Sequence, residues 1–216
     1  VVLSGAGVLG FSPNIKNLLP DIQAFKPSIL LVVPRVLEKV YNAASSKAGG
    51  GLKGRMFAWS AKQARSYSVA QQRTFGPSLT KKLRHGLADA LVLKKIRSVL
   101  GPNLRYIVSG GAPLATDLAQ FYAGMGITLI QGYGLSETTG PIAVQHLGAN
   151  PIGTVGLPLP GNFIKIAKDG EILVRGQAVM PGYYHLPEET QAVMPDGRWF
   201  HTGDIGSISR NGQLSI

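Results

Sequence analysis

Ten consecutive residues carry the densest chemistry in the chain: Gln131-Gly132-Tyr133-Gly134-Leu135-Ser136-Glu137-Thr138-Thr139-Gly140. The apolar run from Thr128 to Ile130 leads into them, so they stand at the end of a predicted strand. The ring of glycine-bracketed Tyr133 offers a stacking face for a base. Ser136, Thr138 and Thr139 bring hydroxyls, and a turn exposes backbone N–H groups; together these suit a phosphate. Glu137 is a single carboxylate among them. Mg²⁺ binds through one or two protein carboxylates and fills its shell with phosphate oxygens and water. The structural alternative is a helix start, with Ser136 as the cap and the threonines as weak helix formers.

Two other glycine-rich stretches invite comparison. Ser109-Gly110-Gly111-Ala112-Pro113-Leu114 closes a second apolar strand, Leu104 to Val108. Glycines there let a ligand lie on the backbone, and they equally suit a tight strand–helix turn. Gly5-Ala6-Gly7-Val8-Leu9-Gly10 spells a dinucleotide fingerprint, but Phe11-Ser12-Pro13 follow it at once and Asp21 falls inside the next helix. The fingerprint needs a helix opening at its last glycine, so the stretch reads as a glycine-rich strand in close packing. No cysteine occurs in the 216 residues, which excludes a disulfide scaffold, a thiolate metal site and a Cys nucleophile.

The elements that must hold these residues alternate in type. The spacing predicts a strand at Val1 to Leu3 and a helix from Asn14 to Phe25 carrying Ile15, Leu18, Leu19 and Ile22 on one face. Ser28 to Val33 reads as a strand buried on both faces, and Pro34 opens a helix through Tyr41. Ser45 to Gly54 reads as a flexible loop, and two basic amphipathic helices follow near 56–74 and 78–100. A helix from Thr116 to Ala123 separates the two strands that end in glycine. Strands alternating with helices argue for an α/β fold with a mostly parallel sheet flanked by helices. Ligands in such sheets bind outside the carboxyl ends of the strands, where both glycine-rich turns stand.

After about Asn150 the texture becomes β-rich. Asn162–Ala167 and Glu171–Val174 read as a hairpin about Asp169-Gly170, and short strands continue to the end. The expected organisation is therefore an α/β part over 1–150, with a basic helical insertion near 45–100, and a smaller, distorted barrel-like β-rich subdomain over 151–216. A hydrophobic fraction of 44% argues against wholesale disorder. The longest apolar run is Ile29 to Val33, far short of the ~20 residues a bilayer span needs. Val1 is not an initiator Met, and Gly212 to Ile216 reads as a strand cut midway. Both ends suggest a piece of a longer protein.

The net charge of +11 is concentrated. Between Arg35 and Arg105 there are 15 Lys/Arg against only Glu38 and Asp89, while the rest of the chain is slightly acidic. The segment reads either as a solvated helical face or as a surface for something anionic. Few aromatics interleave it and no nucleic-acid motif accompanies it, so nucleic acid is not the expected partner.

Five motifs arrive in order: Ser109–Leu114, Gln131–Gly140, Gly170-Glu171-Ile172-Leu173-Val174-Arg175-Gly176, Pro181-Gly182-Tyr183-Tyr184 and Trp199-Phe200-His201-Thr202-Gly203-Asp204. Together they resemble the core motifs of the adenylate-forming superfamily, and the likeness spans essentially the whole chain. Pro34-Arg35-Val36-Leu37-Glu38-Lys39-Val40-Tyr41, the basic insertion and His201 before Thr-Gly-Asp resemble the long-chain fatty-acid–CoA ligases in particular.

The resemblance implies a ligase that activates a fatty acid with ATP and Mg²⁺ to an acyl-adenylate and then transfers it to CoA. It implies that Gly110, Gly111 and Ala112 flank the adenine and the start of the acyl pocket. It places Gln131, Gly132 and Tyr133 at the adenine, with Tyr133 stacking. Ser136 would touch the α-phosphate, Glu137 would bind Mg²⁺, and Asp204 would accept the ribose hydroxyls. Ser136 stands where many members have Thr, and the hydroxyl is kept. The family's Ser/Thr/Gly-rich phosphate loop, its hinge and its lysine-bearing C-terminal domain are not in these residues, so the 216-residue chain alone is expected to be inactive. The expected setting is cytoplasmic, with peripheral contact to an anionic membrane through the basic segment. The other readings are a non-catalytic nucleotide-binding fragment and a basic nucleic-acid-binding protein.

Overall fold

The computed structural model describes residues 7–14, 16–148 and 151–216. The predicted strand at Val1 to Leu3 and the helical position of Ile15 fall outside them. The chain divides into two compact units, each drawn from separated stretches of sequence. One takes the described residues of 1–30 with 38–107 and 121–127; the other takes 31–37, 108–120 and 128–216.

The first unit is mainly helical. Helix α1 (Leu18–Phe25) begins later than its apolar spacing predicts. The Asn14 carboxamide accepts the Lys16 N–H at 2.9 Å, so Asn14 closes a turn of its own instead of capping the helix. Residues 7–14 form neither helix nor strand, and Val8 and Leu9 are 82% and 60% exposed, so the described part of the glycine stretch is not the closely packed strand that the sequence suggested. Helices α2 (Pro34–Ala48) and α3 (Gly51–Gln71) leave only Gly49 and Gly50 between them, where the sequence suggests a ten-residue loop. Left-handed φ values of 63° at Gly49 and 66° at Gly51 compress the reversal.

Helices α4 (Leu79–Ala88) and α5 (Lys94–Leu100) flank a π-helical turn at Asp89–Leu93. Arg97 reaches back across that wide turn to both oxygens of Asp89, and its Nη1 also donates to the Met125 carbonyl at 2.8 Å. Close packing fixes the core. Tyr41 meets Phe121 edge-on with centroids 4.9 Å apart. A Cβ on Gly124 would sit 2.1 Å from the Ala64 carbonyl oxygen. His85 stacks on Tyr67 at 4.0 Å and bonds the Gly124 carbonyl at 2.6 Å.

One mixed sheet has the order β1 (Ile29–Val32), β2 (Tyr106–Ser109), β3 (Thr128–Leu135), β4 (Gly140–Val144) and β5 (Leu157–Pro158). The α/β class read from the sequence holds, and the β3–β4 and β4–β5 pairs are antiparallel. Strand β1 departs from expectation: it alternates exposed and half-buried, with Leu31 77% exposed, because it is the edge of the sheet.

In the second unit β6 (Asn162–Ile166), β7 (Glu171–Gly176) and β8 (Phe200–Ile205) form an antiparallel sheet, and β9 (Ser207–Ile208) pairs with β10 (Leu214–Ser215). The β6–β7 hairpin turns as read from Asp-Gly: Gly170 takes φ 92° and Asp169 Oδ1 accepts the Glu171 N–H at 3.1 Å. A short helix α7 (Pro187–Val193) interrupts the stretch read as all-β. Its signals were local: proline at the first helical position and Glu188 and Glu189 in the first turn. The core here joins Tyr133, Ile142, Ala143, Ile172, Val174 and Leu214. Each fully buried Ile, Val or Leu contributes about 1.5–3 kcal/mol. These residues come from both sides of position 150, where we propose the subdomain boundary; Ala149 and Asn150 themselves lie outside the described residues.

Candidate active site

The motif Gln131–Gly140 forms the end of β3, a 3₁₀ turn at Ser136–Thr138 and the start of β4. Two glycines make this reversal close. A Cβ on Gly134 would sit 2.0 Å from the Gly140 carbonyl oxygen, and the register slips between Tyr133 and Gly134. Thr139 adopts a left-handed φ of 54°. Buried Thr138 ties the turn internally, accepting the Leu135 N–H at 2.8 Å and lying 2.8 Å from the Gly140 carbonyl. Ser136 is left exposed and Glu137 half-buried. The sequence offered Ser136 as a helix cap; the structure instead puts Leu135 at the cap position and makes Ser136 the first residue of a single 3₁₀ turn.

Alternation along β3 puts Gln131 and Tyr133 on its buried face. Tyr133 is 9% exposed, and its hydroxyl donates to Asp204 Oδ2 at 2.7 Å. The bond joins two motifs 71 positions apart. Burial, and then Asp204 as acceptor, push the Tyr133 phenol above its usual range, so it stays a neutral donor.

Asp204 stands within β8, where the register with β7 is irregular, and this stretch of strand is itself held. The Thr202 hydroxyl accepts the Asp204 N–H at 3.1 Å and donates to the Ile172 carbonyl at 2.8 Å. Glu171 Oε1 accepts the Gly203 N–H at 2.8 Å, and Oε2 bonds the His201 ring at 2.8 Å. Gly203 takes φ 75°, which favours glycine. Glu171 is thus a support of the Thr-Gly-Asp segment of β8 that sequence reasoning missed; its one signal was an acid directly after the Asp-Gly hairpin turn.

Glu137 has its own partner. The Tyr183 hydroxyl donates to Glu137 Oε1 at 2.9 Å, and this acceptor raises the Tyr183 phenol above its usual range. Gln145 is a second support the sequence did not reveal. Its Oε1 takes the Gln131 N–H at 2.9 Å while its Nε2 donates to the Thr154 carbonyl at 2.9 Å, pinning the middle of β3.

At the end of β2, Gly110 lies beside β3: a Cβ there would be 3.5 Å from the Gly132 carbonyl oxygen. Gly111 takes φ 79° and, with Ala112, is exposed. Ser109 is 2% exposed and its hydroxyl has no hydrogen-bond partner among the described residues. The structure therefore brings Gly110 to Gly132 and Tyr133 to Asp204. Two open clefts of about 710 Å³ each lie in the helical unit, and no residue of these motifs lines them.

Comparison with known proteins gives the family and the fold. The chain matches the family described as AMP-binding enzyme over residues 1–184. It is 48% identical over 208 residues to the long-chain-fatty-acid–CoA ligase FadD15 of Mycobacterium tuberculosis, covering 96% of this chain and 34% of the relative. It is 36% identical over 230 residues to long chain acyl-CoA synthetase 1 of Arabidopsis thaliana, covering 98% of this chain and 34% of that protein. The chain thus spans about a third of the length of these curated relatives. Among solved structures, apo MatB from Rhodopseudomonas palustris superimposes with a TM-score of 0.63 at 22% identity, covering 100% of this chain and 36% of the other. The N-terminal domain of FACL13 from Mycobacterium tuberculosis gives 0.57 at 21% identity, covering 97% and 43%. These likenesses show a shared fold.

Proposed function

The chain belongs to the AMP-binding enzyme family, and from that premise we propose that the intact protein is a long-chain fatty-acid–CoA ligase. A fatty-acid carboxylate oxygen attacks the α-phosphorus of ATP and the bond to pyrophosphate breaks. The CoA sulfur then attacks the acyl carbon, and AMP leaves. The observation that carries the reading is the 2.7 Å bond from Tyr133 to Asp204, which couples the Gln-Gly-Tyr-Gly and Thr-Gly-Asp motifs in one place.

With Oδ2 engaged by Tyr133, Asp204 keeps Oδ1 for the ribose hydroxyls. Gln131, Gly132 and Tyr133 flank the adenine. The Tyr133 ring is too buried to offer more than a narrow stacking edge, so anchoring Asp204 is its better-supported task. Gly110, Gly111 and Ala112 line the adenine and the start of the acyl pocket, a reading supported by the closeness of Gly110 to Gly132. Ser136, exposed on its turn, donates to the α-phosphate.

No cluster of three or more His, Cys, Asp or Glu that could hold a metal occurs among the described residues. Mg²⁺ on a nucleotide needs only one or two protein carboxylates, and Glu137 fits that need with Oε2, since Tyr183 occupies Oε1. When bound, Mg²⁺ would neutralise phosphate charge and polarise the reacting phosphorus. Mass spectrometry of the intact protein given ATP, Mg²⁺, CoA and long-chain fatty acids tests the proposal. Acyl-CoA is expected, with Glu137→Gln most impaired at limiting Mg²⁺. No thioester from any long-chain acid overturns it.

We also propose that this protein is cytoplasmic and touches anionic membranes peripherally. No helix among the described residues is long and apolar enough to cross a membrane. Support comes from α4, where Leu79, Leu83 and Leu87 are 77%, 75% and 55% exposed at one-turn spacing beside Lys81, Lys82 and Arg84. Each such cation near an anionic surface contributes about 1 kcal/mol. Intact protein should sediment with anionic vesicles at low salt and release at high salt; none sedimenting at low salt refutes the contact.

A further inference from the structure

The run Pro181-Gly182-Tyr183-Tyr184 has no task in the proposed chemistry, yet it is built onto the turn that carries Glu137. The Tyr183 hydroxyl donates to Glu137 Oε1 at 2.9 Å across 46 positions. Two further bonds hold the same stretches together. The Met180 N–H donates to the Glu137 carbonyl at 2.7 Å, and the Thr139 hydroxyl donates to the Ala178 carbonyl at 2.9 Å.

Tyr183 is fixed from behind as well. Its N–H donates to Thr190 Oγ1 at 2.9 Å and its carbonyl accepts the Leu186 N–H at 3.3 Å. A Cβ on Gly182 would lie 2.8 Å from the Thr190 methyl, so glycine is what lets Thr190 close on the loop. The neighbouring Tyr184 behaves differently: it is 87% exposed and rests on His185.

The kind of partner matters. A lysine or arginine on Glu137 would neutralise the carboxylate and compete with a cation for it. A phenol is neutral: it restrains the carboxylate, occupies one oxygen and leaves the charge in place. Partners of this kind, behind a metal-binding group, orient it and set its affinity.

We propose that Tyr183 is a positioning residue for Glu137, holding the carboxylate so that Oε2 meets the divalent cation on the nucleotide phosphates. This rests on Glu137 serving the nucleotide, as proposed above. Tyr183 does not itself touch the reacting atoms. Its phenol acts by limiting the rotamers of Glu137.

The test uses the intact protein as wild type, Tyr183→Phe, Tyr184→Phe and Glu137→Gln. Calorimetric titration measures binding of ATP with Mg²⁺ and of ATP in chelator, and thermal melts confirm that each variant is folded. Phe fills the same half-exposed space, so Tyr183→Phe should fold. It should weaken Mg²⁺–ATP binding about tenfold, the lower end of what such partners contribute to metal affinity. It should leave metal-free ATP binding unchanged, and Tyr184→Phe should match wild type in both. The Mg²⁺ concentration for half-maximal adenylation should rise in parallel, with the fatty-acid KM unchanged. If Glu137→Gln loses the Mg²⁺-dependent part of binding while Tyr183→Phe keeps it, the positioning role is wrong and the role of Glu137 stands. If Glu137→Gln also keeps it, the reading of Glu137 fails and the inference falls with it.

Discussion

Replacing Asp204 should separate two jobs that the structure gives to one carboxylate. Oδ2 accepts the hydroxyl of buried Tyr133 at 2.7 Å, and Oδ1 is proposed to accept the ribose. Asp204→Asn keeps a neutral acceptor for Tyr133 and removes the charge. A hydrogen bond to a charged group contributes about 1.5–3 kcal/mol against about 0.5–1.5 for a neutral one. The loss of about 1.4 kcal/mol corresponds to a tenfold rise in the ATP concentration needed, with the fatty-acid dependence spared. Asp204→Ala should show that ATP defect and also lose about 1–3 kcal/mol of stability, because the Tyr133 hydroxyl is left buried without its partner. Adding Tyr133→Phe to Asp204→Ala removes the orphaned hydroxyl. That double variant should regain much of the stability and none of the ATP affinity. The assays are urea unfolding and ATP-dependent adenylation of the intact protein. If Asp204→Ala loses stability while its ATP dependence matches wild type, Asp204 only caps Tyr133 and the placement of the ribose is wrong.

Three further outcomes follow from other contacts. Arg97, chiefly by its side-chain hydrogen bonds, holds the Asp89 carboxyl below its usual 3.8; a depressed pKa stabilises the fold above that value and the effect is lost as pH falls through the folded value. Asp89→Asn should therefore lower stability by about 1 kcal/mol near neutral pH, and a deficit that persists unchanged in strong acid would exclude the ion pair as its cause. The Tyr133 phenol is raised above its usual 10.0, so its contribution is complete below that pH and lost as pH rises beyond it; Tyr133→Phe should shed part of the alkaline loss seen in urea midpoints, and an identical alkaline profile would contradict this. Gly134→Ala drives a methyl to within 2.0 Å of the Gly140 carbonyl oxygen; it should cost about 3 kcal/mol and abolish adenylation, whereas a near-wild-type melt would mean the β3–β4 reversal is looser than described.

Much of the fold and the site motifs was legible because their signals are local. Asp-Gly marked the β6–β7 turn, and the apolar runs marked β2 and β3. The glycines about Tyr133 were read for a ligand, and the close backbone reversal that Gly134 permits emerged only from the structure. Other features depend on neighbours distant in sequence. The apolar run of β1 reads as doubly buried, but its place at the sheet edge exposes Leu31. The π turn at Asp89–Leu93 shows in the sequence only as a five-residue step from Ala88 to Leu93 in the buried stripe, and its stabilising partner is Arg97, two turns on. Helix α7 carried Pro and Glu signals, outweighed by the β texture around it. Within the site, Ser136 and Glu137 could be singled out by type and spacing, and Asp204 only by the resemblance that its motif carries. Their supports Glu171, Gln145 and Tyr183 could not, since each acts across a fold-made contact.

Exchange of labelled pyrophosphate into ATP, catalysed by the intact protein without CoA, tests the central claim most directly, because it requires reversible formation of an acyl-adenylate and nothing later. The account predicts exchange that depends on a long-chain fatty acid and on Mg²⁺, falls sharply in Glu137→Gln and needs about tenfold more ATP in Asp204→Asn. Exchange that proceeds equally without fatty acid, or that is untouched by both substitutions, would contradict it.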